Sequence, residues 1–203
     1  MSLTPRVFWQ SMTHPTWALA ALQNGSKFRF KNLEPYYDAS SFDNVTQFIG
    51  SQLNGSLDWD YLNEIRAAWD GPLILKGILN GQDATRAVAA GVDGLIVSNH
   101  GGRQLDAVPA SIDLLEAIRS SVGPKVPLLF DSGVRSGLDI ARALAAGADF
   151  VMCGRAFMYC VAALGEPGPD HVLAVLKDEL ENTMVQLGLE RLADLPTALS
   201  RRS

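Results

Sequence analysis

From residue 72 onward, short apolar runs alternate with segments whose apolar residues recur at helical spacing. The runs LILKGIL (73–79), GLIVSN (94–99), VPLLFD (126–131) and FVMC (150–153) have the length of strands. Each is almost continuously apolar, the pattern expected of parallel strands covered on both faces. Between them lie QDATRAVAAG (82–91), SIDLLEAIRSSVG (111–123) and GLDIARALAAG (137–147), which predict helices ending at glycine. Ser111 stands where an N-cap is expected. Another helix is expected to begin near Phe157, and PDHVLAVLKDELENTMVQLG (169–188) predicts a long amphipathic helix followed by a polar tail. Residues 37–71 predict helices and no convincing strand. Strands alternating with helices in this way predict an α/β fold built on a parallel sheet.

An internal echo sharpens that expectation. RAVAAGVDGLIV (86–97) and RALAAGADFVMC (142–153) align without a gap: a helix end, a glycine stop, an aspartate and the next strand. Repeated units of this kind occur in (β/α)8 barrels and also in doubly wound sheets, and two helix-to-strand turns can converge on the same capping chemistry. The pattern yields four strong strands, whereas a closed barrel needs eight.

Composition narrows the classes. With 47% hydrophobic and 19% charged residues over 203 positions, the chain can bury a sizeable core. A net charge of −5 argues against a nucleic-acid binder, since no basic stripe is available to neutralise phosphates. Cys153 and Cys160 have neither the number nor the spacing of a disulfide framework or a zinc site, so a reducing, cytoplasmic setting and no metal are expected. No secretory signal pattern is visible, and no apolar run approaches the roughly 20 residues that span a bilayer. Residues 7–36 mix Phe8, Trp9, Trp17, Phe28 and Phe30 with Lys27, Arg29 and Lys31. That mixture suits a membrane-surface segment at the inner face or a subunit contact; the reading preferred from sequence is a helix packed on its own core.

Candidate chemistry gathers at the carboxyl ends of the predicted strands, where parallel α/β folds bind ligands. Lys76 sits within the first strand, where an unpaired ammonium is costly unless it faces a ligand or a carboxylate. The second strand ends in Ser98, Asn99 and His100 and leads across two glycines to Arg103. The third ends in Asp131, Ser132, Gly133, Val134 and Arg135, and the fourth in Gly154 and Arg155. Gly133 and Gly154 would let backbone N–H groups approach an anion, with Arg135 and Arg155 as forked donors suited to phosphate. Taken singly, each glycine also reads as a tight turn. An imidazole can take a proton at neutral pH, and Arg103 can hold a carboxylate beside it. His14, in a polar turn bounded by proline, and His171, at the start of the long helix, lack such company.

The stretches LILKGIL, SNHGGRQLD, DSGVRSGLDIARALAAGA and CGRAFMY, in this order, closely resemble the FMN-dependent α-hydroxy acid dehydrogenases and oxidases. The resemblance is specific over residues 72–165. LTPR and the aromatic segment near the start are similar to the mandelate dehydrogenase branch. The resemblance implies a (β/α)8 TIM-barrel fold of which this chain carries the last four βα units, with residues 1–71 as loop and helices and 166–203 as a C-terminal helix and tail of one domain. It implies oxidation of an L-2-hydroxy acid with FMN as cofactor. His100 would be the base, accepting either the α-hydrogen or the hydroxyl proton, and Arg103 would bind the substrate carboxylate. Lys76 would sit by the flavin N1 edge and Ser98 would contact the flavin. Asp131, Ser132, Gly133, Val134, Arg135, Gly154 and Arg155 would hold the ribityl and phosphate end.

The substrate tyrosines and the aspartate that pairs with the histidine belong to the family's other half. Two sheet edges would be open and favour a homo-oligomer. The competing expectations are a non-catalytic half-barrel with residual flavin or phosphate binding, and another phosphate-binding barrel of nucleotide metabolism, whose chemistry does not need the His100–Arg103 pair.

Overall fold

The computed structural model describes residues 4–23, 32–36, 42–52 and 57–199. Its contacts divide the chain into two compact units, Met1–Asp58 and Trp59–Ser203. The first holds helices α1 (Pro5–Thr13), α2 (Pro15–Gln23) and α3 (Phe42–Gln52), with a 3-10 turn at Glu34–Tyr36. Thr4 caps α1 by accepting from the Val7 amide at 3.3 Å, and Pro5 occupies the first helical position, where a missing N–H costs nothing. No residue of α1 or α2 is buried, and Phe8, Trp9 and Trp17 remain 60, 69 and 51% exposed. The expectation of a helix packed on its own core therefore does not hold for these two helices. Lys27, Phe28, Arg29, Phe30 and Lys31 lie outside the described residues.

The second unit runs α4 (Trp59–Ala68), β1 (Ile74–Ile78), α5 (Gly81–Ala89), β2 (Gly94–Val97), α6 (Ser111–Val122), β3 (Leu128–Phe130), α7 (Gly137–Ala145), β4 (Phe150–Val151), α8 (Arg155–Leu164) and α9 (Gly168–Leu187). The strands form one sheet in the order β1-β2-β3-β4, each parallel to the next. The apolar runs thus lie where strands were expected, but the paired portions are shorter. Their polar ends, such as Ser98 and Asn99, leave the sheet and become site loops.

Burial differs between strands. Leu95, Val97 and Leu128 are fully buried and Phe130 nearly so, beneath Ala84, Ala87, Leu115 and Ile118. At the edges, Ile74 of β1 and Phe150 of β4 are 48 and 61% exposed. The expectation that every strand is covered on both faces holds for β2 and β3 and fails for β1 and β4. An edge strand has a neighbour on one side only, and here part of its apolar surface stays open.

The internal echo is realised as a repeated clamp at the amino end of the strands. α5 and α7 both end in a Schellman-type turn: the Val92 amide reaches the Ala87 carbonyl at 3.2 Å and the Ala148 amide the Ala143 carbonyl at 3.0 Å. Arg66 then donates to the Gly91 carbonyl at 3.1 Å and to Asp93 Oδ2 at 3.0 Å. Arg119 donates to the Gly147 carbonyl at 2.8 Å and to Asp149 Oδ2 at 2.6 Å. In both copies the same carboxylate oxygen accepts a strand-leading amide, Leu73 or Leu128, at 2.8 Å.

The predicted cap and one helix start are corrected. Ala110, not Ser111, is the N-cap of α6, and it offers no side-chain hydrogen bond. The Ser111 hydroxyl is buried and accepts instead from the Asn99 amide at 2.9 Å, because the loop leaving β2 passes over it. α8 starts at Arg155 rather than near Phe157, which makes Gly154 its N-cap.

Candidate active site

The loop leaving β2 turns sharply. His100, Gly101 and Gly102 all have positive φ, at 54, 67 and 73°, a conformation an L-histidine avoids unless its surroundings hold it there. The supports are explicit. The buried Ser98 hydroxyl accepts from the His100 amide at 3.1 Å. Asn99 Oδ1 and Ser132 Oγ both accept from the Gly101 amide, at 2.9 and 3.1 Å. Arg155 donates to the Gly101 carbonyl at 3.1 Å. A Cβ at Gly101 would lie 2.2 Å from that guanidinium and would push the arginine tip aside, and the positive φ of this residue favours glycine as well.

The His100 and Arg103 side chains that this turn carries are exposed, and neither has a hydrogen-bond partner among the described residues. The structure places them on one short turn without pairing them to each other.

Lys76 reaches across two strands. Its ammonium donates to Ser98 Oγ at 2.7 Å and makes a short ion pair with Asp131, whose other oxygen accepts from Ser132 Oγ at 2.7 Å. The sequence left a ligand or a carboxylate open as the partner of this mid-strand lysine, and the structure pairs it with a carboxylate. Burial opposes ionisation of Asp131, but hydrogen bonds from Lys76, Ser98 and Ser132, together with the lysine charge, outweigh it and hold the carboxyl below its usual range.

The sign for stability follows. With a folded-state value depressed below 3.8, the pair's contribution is fully present above that unfolded-state value and is lost as pH falls through the folded one. In urea unfolding, the stability gap between wild type and Asp131→Asn should therefore hold from neutral pH down to about pH 4 and shrink as pH falls further. A gap that stays constant would show that the ion pair is not linked to folding.

The anion end is separate. A cleft of about 420 Å³ opens between the β2, β3 and β4 loops, lined by Ser132, Gly133, Val134, Arg135 and Arg155 among others. Arg142 also lines it, a residue that sequence reasoning placed only within a helix. No side chain caps the first turn of α8, and a Cβ on Gly133 or Gly154 would meet open space. By contrast, Ser136 caps α7, and Asp139 accepts the Arg135 amide at 3.1 Å. The free N–H groups therefore belong to α8, and with Arg135 and Arg155 they fit the phosphate end of a flavin mononucleotide. Lys76, Ser98, His100, Arg103, Asp131 and Gly154 do not line this cleft. Asn99, named at the strand end without a role, and Ser111, expected only as a cap, both hold the histidine turn.

Four parallel strands alternating with helices, with the polar groups gathered at the carboxyl ends, define half of a (β/α)8 barrel. The family model for FMN-dependent dehydrogenase matches residues 1–202, and the chain belongs to that family. The L-lactate dehydrogenases of Pseudomonas entomophila and Acinetobacter baylyi are 42 and 41% identical to it over 191 residues, 94% of this chain and 50% of each of theirs. The crystal structure of the monotopic membrane protein (S)-mandelate dehydrogenase superposes with a TM-score of 0.87 at 36% identity, covering 100% of this chain and 53% of that one. A mandelate oxidase solved with (S)-mandelic acid matches 68% of this chain and 41% of its own, with a TM-score of 0.65 and 41% identity. The chain spans about half the length of the curated relatives it matches.

Proposed function

We propose that these residues form the carboxy-terminal half of the site of an FMN-dependent oxidoreductase that converts an L-2-hydroxy acid of the lactate, glycolate or mandelate class to the 2-oxo acid. The observation that supports this most strongly is the histidine turn: four hydrogen bonds hold its backbone, yet the His100 and Arg103 side chains have no hydrogen-bond partner among the described residues, on a turn whose Gly101 lines a cleft near free helix N–H groups. FMN, when bound, supplies the two-electron acceptor that the reaction needs. Arg135, Arg155 and the first turn of α8, with Gly133 and Gly154, would hold its phosphate. Lys76, Ser98, Asp131, Ser132 and Val134 would hold the remainder. Arg103 fixes the substrate carboxylate, and His100 takes up a proton as the carbinol becomes a carbonyl.

Arg103→Met should raise KM and also lower kcat, so that kcat/KM falls about a hundredfold or more, because a charged partner on the carboxylate is lost. An unchanged kcat/KM would remove the carboxylate role.

Whether this chain turns over is tested by adding FMN, removing the excess by gel filtration, and recording the visible spectrum with and without L-lactate or (S)-mandelate. A retained flavin that bleaches supports the reading and, given the open edges at β1 and β4, points to a homo-oligomer. The exposed edges of β1 and β4 favour a second reading, a half-barrel that binds flavin or phosphate weakly without turnover. A colourless protein of defined size would select it. We also infer that α1 and α2 contact a membrane surface, since their aromatic side chains are open and no helix among the described residues is long and apolar enough to cross a membrane. Failure to co-sediment with anionic vesicles would remove that contact.

A further inference from the structure

Ser132 has φ of 85°, a backbone conformation in which glycine would sit without strain. A serine that tolerates it must return something through its side chain. Its hydroxyl donates to Asp131 Oδ1 at 2.7 Å and accepts from the Gly101 amide at 3.1 Å, 31 residues away in the chain. Asp131 is in turn paired with Lys76, and Gly101 follows His100 directly. One hydrogen-bonded line thus runs from the lysine of β1, through the end of β3, to the histidine turn after β2.

We propose that Ser132 is a positioning residue: its hydroxyl, oriented by Asp131, fixes the Gly101 amide and so sets the His100 turn relative to Lys76. This rests on the reading of His100 as the base, and it adds that the base is aimed by a residue whose hydroxyl bonds to Asp131 and the Gly101 amide rather than to the imidazole. The donor and acceptor roles follow from the chemistry. An ionised carboxylate can only accept, so the hydroxyl proton points to Asp131 and leaves an oxygen lone pair for the Gly101 N–H. Asn99 Oδ1 shares that amide at 2.9 Å, so removing the serine hydroxyl weakens the hold without abolishing it.

The test uses amide hydrogen exchange on the full chain, which reads the turn whether or not the protein is active. Ser132→Gly removes the hydroxyl and relieves the backbone, so the melting temperature should hold or rise. Exchange at Gly101 and His100 should nevertheless quicken about threefold to tenfold, the factor that one hydrogen bond carries, while Leu95 and Val97 in β2 keep their rates. Ser132→Ala, which keeps the strained φ, should quicken the same two amides.

Asp131→Ala should reproduce the effect at Gly101, and combining it with Ser132→Gly should add nothing there, because both break the same line. Unchanged exchange at Gly101 in both serine variants, or full additivity with Asp131→Ala, would overturn the positioning role. Loss of protection throughout β2 would also overturn it, showing that the hydroxyl serves only the fold. If flavin fails to bleach while the exchange pattern holds, the catalytic reading falls and the positioning line stands.

Discussion

His100→Gln should retain FMN in the loaded protein and lose flavin reduction by substrate, slowing it about a hundredfold to ten-thousandfold. Glutamine approximates the size of the imidazole and keeps an N–H donor but has no basic nitrogen. The flavin should stay because the groups suited to hold it lie on other segments: Arg155 and the open first turn of α8, Gly133 beyond β3, and Lys76 in β1. Anaerobic stopped-flow bleaching at saturating L-2-hydroxy acid separates the two properties. Reduction at the wild-type rate would dismiss His100 as the base. Loss of the flavin itself would move the histidine into the binding machinery. The backbone of the turn should be indifferent to the change, since its supports reach the amides of His100 and Gly101 and the Gly101 carbonyl rather than the ring.

Gly137→Ala should destabilise the second unit by roughly 3 kcal/mol, among the larger effects open to one methyl group. A Cβ there would lie 2.2 Å from the Leu180 amide nitrogen and 2.6 Å from the Glu179 carbonyl carbon, both backbone atoms of α9 that cannot rotate aside. Relief requires α7 and α9 to part. That separation lengthens the 2.7 Å hydrogen bond from the Gly137 amide to Glu179 and loosens the cluster of Ala141, Met184 and Leu195. Urea unfolding followed by far-UV circular dichroism should show a lower midpoint. A midpoint within error of wild type would mean that the two helices are not locked at this point.

The strands and helices from 74 to 164 were legible because apolar runs and glycine stops are local signals. The cover of β1 and β4 was not. Ile74 and Phe150 read as core residues, yet they sit at the edges of this sheet, and an apolar run carries no record of which neighbour covers it.

The site divides in the same way. His100, Arg103 and Arg155 stood out through their glycine-rich settings. The Lys76–Asp131 pair joins residues 55 apart, and nothing local in either segment announces the other. Ser111 read as a cap because serine before a helix usually is one. Only the path of the neighbouring loop decides that its hydroxyl serves Asn99 instead. Ser132 was legible as part of an anion-binding turn, but not as the residue that ties β3 to the histidine turn.

The twin clamps at the amino ends of β1 and β3 bear on how such a sheet can change over time. Each ties the entry of a strand to the exit of the next helix through side chains, Arg66 with Asp93 and Arg119 with Asp149, that lie at the end opposite the chemistry. Strand register is thereby anchored away from the segments that carry His100, Arg103 and Arg155. Loops at the far end, outside the hydrogen-bonded turn from Ser98 to Gly102, can lengthen, shorten or exchange residues without sliding one strand against another. The side chains offered by those other loops are therefore open to drift, while the spacing from each clamp to its strand end is not. An inserted residue should be tolerated after Arg103 and disruptive between Asp149 and Gly154.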